Sequence, residues 1–207
     1  MVVLLVTLTF VGLALLVVWT RQRAVRMARS AAVRLDQVAY HPGHMWVARV
    51  GPALYKAGAD DVAASLAGMP ERIEVPEAGG RVYQDVRHVR LEAHGRTVHL
   101  PAPLSGRVVA INNDAIGEPS TVAHAPYGNG WLYLVHADGQ REQQRLLTGE
   151  QAAHWLDDIR RGIMDILWSP GPTAAWDAGP LQPGYGDILS DEQFQQLKDN
   201  LLGSSNQ

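Results

Sequence analysis

An unbroken apolar run opens the chain: Val2 to Trp19 reads VVLLVTLTFVGLALLVVW, with no charge and two threonines as its only polar groups. Such a run has no face fit for water, which argues against a buried globular helix and for a transmembrane one. Its 18 residues make a helix about 27 Å long, close to the roughly 30 Å hydrocarbon core of a bilayer. Trp19 then falls at the interface, and Arg21, Arg23, Arg26, Arg29 and Arg34 follow it. The competing reading is a cleaved signal peptide, which calls for basic residues ahead of a shorter apolar stretch. None precedes this one. Because basic residues stay on the cytoplasmic side, the run predicts a single-pass protein of a bacterial-type inner (cytoplasmic) membrane. Its N-terminus faces out, residues 2–19 contact the lipid bilayer, and the soluble domain lies in the cytoplasm. Residues 21–37 form a basic juxtamembrane helix or linker, with Val25, Met27, Ala28 and Leu35 among the arginines.

The first acidic residue is Asp36. Setting aside the five arginines before it leaves 13 basic residues against 21 acidic ones, a balance of −8. That argues against nucleic acid as a partner, because phosphate neutralisation needs clustered Lys and Arg. The chain has no cysteine, so disulfides, thiolate metal sites and cysteine nucleophiles are excluded together.

From residue 38 the pattern changes to short apolar runs broken by Gly and Pro: Trp46–Val50, Arg72–Val75, Val86–Leu91, Thr97–Leu100, Gly106–Ile111 and Trp131–Val135. Their spacing predicts a sandwich or barrel of short strands. His94-Gly95 suits a tight hairpin turn with positive φ. Asp60 to Leu66 predicts the one short helix within the sheet region. After Leu147, Thr148 and Gln151 form a capping box, and apolar residues recur at helical spacing to Leu167, before Ser169-Pro170. The tail over 169–207 is rich in Pro and Gly, with Trp176 and Tyr185 embedded and Trp168 just ahead of it. It ends in a short helix capped by Ser190 and Gln193, with an apolar face of Phe194, Leu197 and Leu201 and a stop at Gly203. Exposed aromatics are costly in a free linker, so the tail is expected to lie over a partner or over its own domain.

Several strings resemble the H protein of the glycine cleavage system. His44-Met45-Trp46-Val47 resembles that family's HEW-V strand, and Pro103-Leu104-Ser105-Gly106 with Val108, Val109 and Asn112 its PVSG-x-VV-x-x-N segment. Gly58, Asp60–Ala63, Leu66–Gly68, Ile73–Pro76, Pro119 and Val122 fall in order between and after them. Pro126 to Leu132 (PYGNGWL) matches its PYG-x-GWL string. The resemblance runs over residues 40 to 160 and implies a lipoyl-type β-sandwich. The fold class is thus α+β, mainly β: one N-terminal transmembrane helix (1–20), then an H-protein-like domain (38–168) with C-terminal helices. In the family a lysine about eight residues before the PVSG proline carries lipoate as a swinging arm. Gly95 stands at that position here. Glycine offers no amine, and the guanidinium of Arg96 stays protonated. The lysines are Lys56 and Lys198, neither near that hairpin. The fold is inherited and the carrier function is not, so no cofactor is expected.

Other chemistry is harder to place. His41 and His44 lie three apart, and His94 and His99 flank the hairpin, without a metal-binding pattern around either pair. Ser105 has no nucleophile elbow, and Gly79-Gly80 no following Gly-Lys-Ser/Thr. These residues predict no catalytic, cofactor or metal site; an enzyme remains only as the case of an unrecognised one. The expected role is a non-catalytic, non-lipoylated accessory subunit of a larger membrane complex, respiratory or photosynthetic, contacting other subunits at the cytoplasmic face. Gly12 and Ala14 offer close approach to partner helices, without a GxxxG motif. The alternative is a membrane-tethered regulator or decoy in lipoate and glycine-cleavage metabolism.

Overall fold

The computed structural model describes residues 33–139, 142–167 and 181–203, together with residues 11, 15–20, 22, 23 and 26 ahead of them. Most of the Val2–Trp19 run, several of the following arginines, and Trp168 and Trp176 lie outside the described residues. Among the described residues no helix is long and apolar enough to cross a membrane. The described part of that run (residues 11 and 15–19) is helical and exposed.

Among the described residues nine strands follow: β1 (Val38–His41), β2 (Met45–Gly51), β3 (Leu54–Ala59), β4 (Arg72–Glu74), β5 (Arg81–Val82), β6 (Arg87–Ala93), β7 (Arg96–Pro101), β8 (Gly106–Ile111) and β9 (Tyr133–Ala137). Six form one sheet in the order β1-β2-β3-β9-β8-β5, and three form another in the order β4-β6-β7. The expected sandwich is thus present. Alternation drives it: in β6, Val89, Leu91 and Ala93 are buried between partly exposed neighbours, and β8 repeats the pattern with Val108 and Ala110. Val89, Leu91, Ala93 and Val108 join Met45, Val47, Leu100 and Val135 in one core between the sheets, while Ala110, past an irregularity in β8, falls in a separate apolar cluster.

Among the described residues from 33 onward, five α-helices join the strands: α1 (Asp61–Leu66), α2 (Asn113–Gly117), α3 (Ser120–His124), α4 (Gly149–Leu167) and α5 (Asp191–Leu202). The helix expected at Asp60 to Leu66 is α1, but it is not alone in the sheet region. The one-turn helices α2 and α3 flank Glu118-Pro119, and a single turn is too short to leave a periodic trace. Ala152 and Leu156 of α4 pack with Tyr40, Trp46, Trp131 and Leu134 in a second apolar cluster. Ile163, further along α4, is buried in the main core.

The start of α1 shows how the sequence fixes its own geometry. Asp60 is extended, and its carboxylate Oδ1 accepts from the Ala63 backbone N–H at 2.9 Å. Its other oxygen lies 2.8 Å from His44 Nδ1, with both side chains buried. One carboxylate therefore caps a helix and satisfies a buried imidazole. Asp60→Ala should cost about 2 kcal/mol, combining a lost cap with an unpaired His44. Urea unfolding measures it; an unchanged midpoint would show that neither bond matters.

Candidate functional site

Ala93 pairs with Arg96 across the β6–β7 hairpin, leaving His94 and Gly95 as a two-residue loop. Their φ values are 49° and 76°, both positive, as a type I′ connection requires. This is the turn that the His-Gly pair predicted. A Cβ built on Gly95 would meet nothing within 4 Å. The tip thus projects a bare backbone into open space, with no amine on it. Lys56 is buried on β3, its Nζ 5.8 Å from the centroid of the Trp131 ring, and burial lowers its pKa. Lys198 belongs to α5, with its Nζ 5.7 Å from the centroid of the Phe194 ring.

The described part of the tail, residues 181–203, lies on the chain's own domain beside this hairpin. Arg96 joins the two. Its Nη1 donates to the Gly186 carbonyl at 2.8 Å, and its Nη2 to the Leu189 carbonyl at 2.7 Å and the Asp191 carboxylate at 2.8 Å. Its guanidinium carbon also sits 5.1 Å from the Phe194 ring centroid. The Tyr185 hydroxyl donates to the Val62 carbonyl of α1 at 3.1 Å, and Asp187 Oδ1 accepts at 3.1 Å from the N–H of Met69, just past that helix. Burial, reinforced by the nearby Asp60 and Asp61 charges, raises the Tyr185 hydroxyl's pKa. Gly186 permits the approach: a Cβ there would lie 2.2 Å from the Leu66 carbonyl oxygen. Phe194, Leu197 and Leu189 are buried in the main core. The terminal helix carries the expected capping box, Ser190 with Gln193, and ends at Gly203. Sequence reasoning treated Arg96 only as a poor nucleophile and missed its role as the tail's anchor. Its partners are mostly backbone carbonyls some ninety residues away, which leave no mark in the sequence. Tyr185 within a Pro/Gly-rich stretch was the one available signal.

The other flagged residues are held apart. His41 Nε2 lies 2.8 Å from Asp85 Oδ1, and Arg145 reaches the same carboxylate at 2.9 Å. His44 pairs with Asp60 and packs against Trp155, with ring centroids 5.0 Å apart. His94 is at the hairpin tip between Glu71 and Asp187, whereas His99 lies on β7. The Ser105 hydroxyl accepts from the Gln84 N–H at 2.9 Å, and Gly79 N–H donates to Val108 at 2.7 Å, so both belong to structural turns.

Burial lowers the pKa of His41, against the opposing pull of Asp85, and it is also the first cause for His88 and His99. The unfolded chain therefore takes up more protons than the folded one as pH falls through about 6.5, and stability is lost in that window. The thermal midpoint should drop between pH 7 and 5.5, and His41→Gln should make the drop shallower. An equal slope in that variant would remove His41 as a cause.

A family profile described as Glycine cleavage H-protein matches residues 38–159. The chain is 34% identical over 119 residues to the glycine cleavage system H protein of Idiomarina loihiensis, covering 58% of this chain and 92% of that one. It is 30% identical over 123 residues to the H protein of Pseudoalteromonas translucida, covering 59% of this chain and 95% of that one. Among solved structures, the glycine cleavage system H protein of Mycobacterium marinum matches with a TM-score of 0.52 at 29% identity, covering 59% of this chain and 98% of that one. The matched residues stop short of the anchored tail.

Proposed function

The chain belongs to the glycine cleavage H-protein family, and from that premise we propose that it is a non-lipoylated, non-catalytic member serving as an accessory subunit of a larger membrane complex. One observation carries the reading: the β6–β7 tip is His94-Gly95, with no amine on it, and the surface beside it is occupied by residues 181–203 of the same chain. A lipoyl carrier needs an acylatable amine at the tip, and this hairpin offers none; the docked tail further narrows the surface a partner enzyme would grip. The apolar run at residues 2–19 supports the membrane half of the proposal. It anchors the protein by a single span, with the N-terminus outside and the sandwich in the cytoplasm. Residues 2–19 meet the bilayer, and the sandwich meets partner subunits.

A second reading, a tethered regulator or decoy in lipoate metabolism, draws support from a scaffold retained over residues 38–159. The tail weighs against it, because enzymes that handle lipoyl groups would have to displace it from the hairpin. Blue-native electrophoresis of mild-detergent extracts tests the first reading: the protein should migrate with a complex several times its own 22.6 kDa. Migration as a lone small protein would exclude the subunit role. Retention on immobilised glycine decarboxylase or lipoyl ligase would favour the second reading instead.

A further inference from the structure

A cleft of about 180 Å³ opens where the tail helix meets the three-stranded sheet, lined by Arg87, Thr97, His99, Lys198, Leu202 and Gly203. Cations approach it from three elements: Arg87 of β6, His99 of β7 and Lys198 of α5. Arg90, across the strand pair from His99, is already matched by Glu74 and Glu92. Arg87 and Lys198 are not matched in this way. Arg87 donates to the Leu202 carbonyl at 3.3 Å, and Lys198 lies over the Phe194 ring. Among the described residues neither forms an ion pair with a carboxylate. This is notable in a chain whose residues beyond Arg34 carry a balance of −8.

His99 reports the resulting field. Burial holds its pKa below the ordinary value, and Arg90, Arg87 and Lys198 push it the same way, with Glu74 opposing. The cations thus add to the effect of burial, and among the described residues only Arg90 of the three has carboxylates beside it. The partial negative charge at the end of α5 is about half a unit, and Arg87 already covers it. Two cationic side chains, an imidazole that can gain a proton and the Thr97 hydroxyl, set on three elements around one cleft, suit a tetrahedral dianion better than a planar carboxylate.

We infer that Arg87, Thr97, His99 and Lys198 form a binding site for a phosphate group, carried either by a free anion or by a lipid headgroup. Lys198 comes from the tail, so the site exists only while the tail is docked, and it lies partly outside the region matched by the family. Proton and phosphate binding are linked there, since each favours the other.

The test follows the His99 ring resonance of the full chain during pH titration at fixed ionic strength. Inorganic phosphate is added in one series, and dihexanoyl phosphatidic acid below its micelle-forming concentration in another. Saturation should raise the His99 midpoint by about one pH unit. Arg87→Gln and Lys198→Gln should each weaken binding about tenfold at a temperature where hydrogen-exchange protection of Asp191–Leu202 shows the tail still docked. A response to inorganic phosphate assigns the site to a free anion, and a response to the lipid phosphate alone assigns it to a headgroup. An unmoved His99 in both series, or the same response in the double variant, overturns the site.

Discussion

Gly95→Lys should take up a single lipoyl group where the wild-type chain should take up none, read by intact mass after incubation of each with lipoyl ligase, lipoate and ATP. Amide formation needs an amine that can shed its proton and attack an activated acyl carbon. The wild-type hairpin has none: Gly95 has no side chain, and the neighbouring Arg96 holds a guanidinium engaged with the tail. Lys56 is buried on β3 beside Trp131, and Lys198 lies on α5. A lysine at 95 enters open space, since its Cβ would meet nothing within 4 Å. The positive φ there costs a side chain roughly 1 kcal/mol, which a hairpin paired along six residue positions can absorb. Adding Asp187→Ala, which removes the bond to Met69, should speed the modification severalfold by loosening the tail beside the tip. Lipoate on the wild-type chain would end the non-carrier reading outright. No modification of either lysine variant would show that more than an amine separates this hairpin from a carrier.

Much of the sandwich was legible because its strands alternate or carry family strings. Gly106–Ile111 coincides with β8, and the runs at Thr97 and Trp131 locate β7 and β9 to within two residues. β3 was not legible. It reads LYKAGA, where a buried lysine and a glycine interrupt the apolar signal. Only packing explains it, with the Lys56 ammonium near the Trp131 ring and β2 and β9 on either side. β5, at two residues, was too short to register, and β1, VAYH, has a histidine where an apolar run would continue. The terminal helix was legible in detail, because its cap, apolar face and stop are local. Its docking place was not, since that depends on Arg96 finding carbonyls far along the chain. Local chemistry shows in one sequence, and long-range backbone partners do not.

Phe194→Ala should release the tail while leaving the sandwich folded. The ring is buried in the main core and lies between two cations, with Arg96 5.1 Å and Lys198 5.7 Å from its centroid. Truncating a buried phenylalanine costs about 4 kcal/mol, including the cavity it leaves, and each cation–π contact adds a few tenths or more. The helix it anchors has twelve residues, too few to persist alone in water. The loss therefore falls on docking. Hydrogen exchange should accelerate in Asp191–Leu202 by close to a thousandfold, the equivalent of about 4 kcal/mol. α1 should follow in part, because Tyr185 leaves its Val62 carbonyl and Asp187 the Met69 amide just past it. Among the described residues the β2–β3–β9 ladders form no hydrogen bonds with the tail, and they should keep their protection. Equal acceleration across both sheets would mean that the tail is part of one cooperative core, and the image of a detachable clasp beside the hairpin would fail with it.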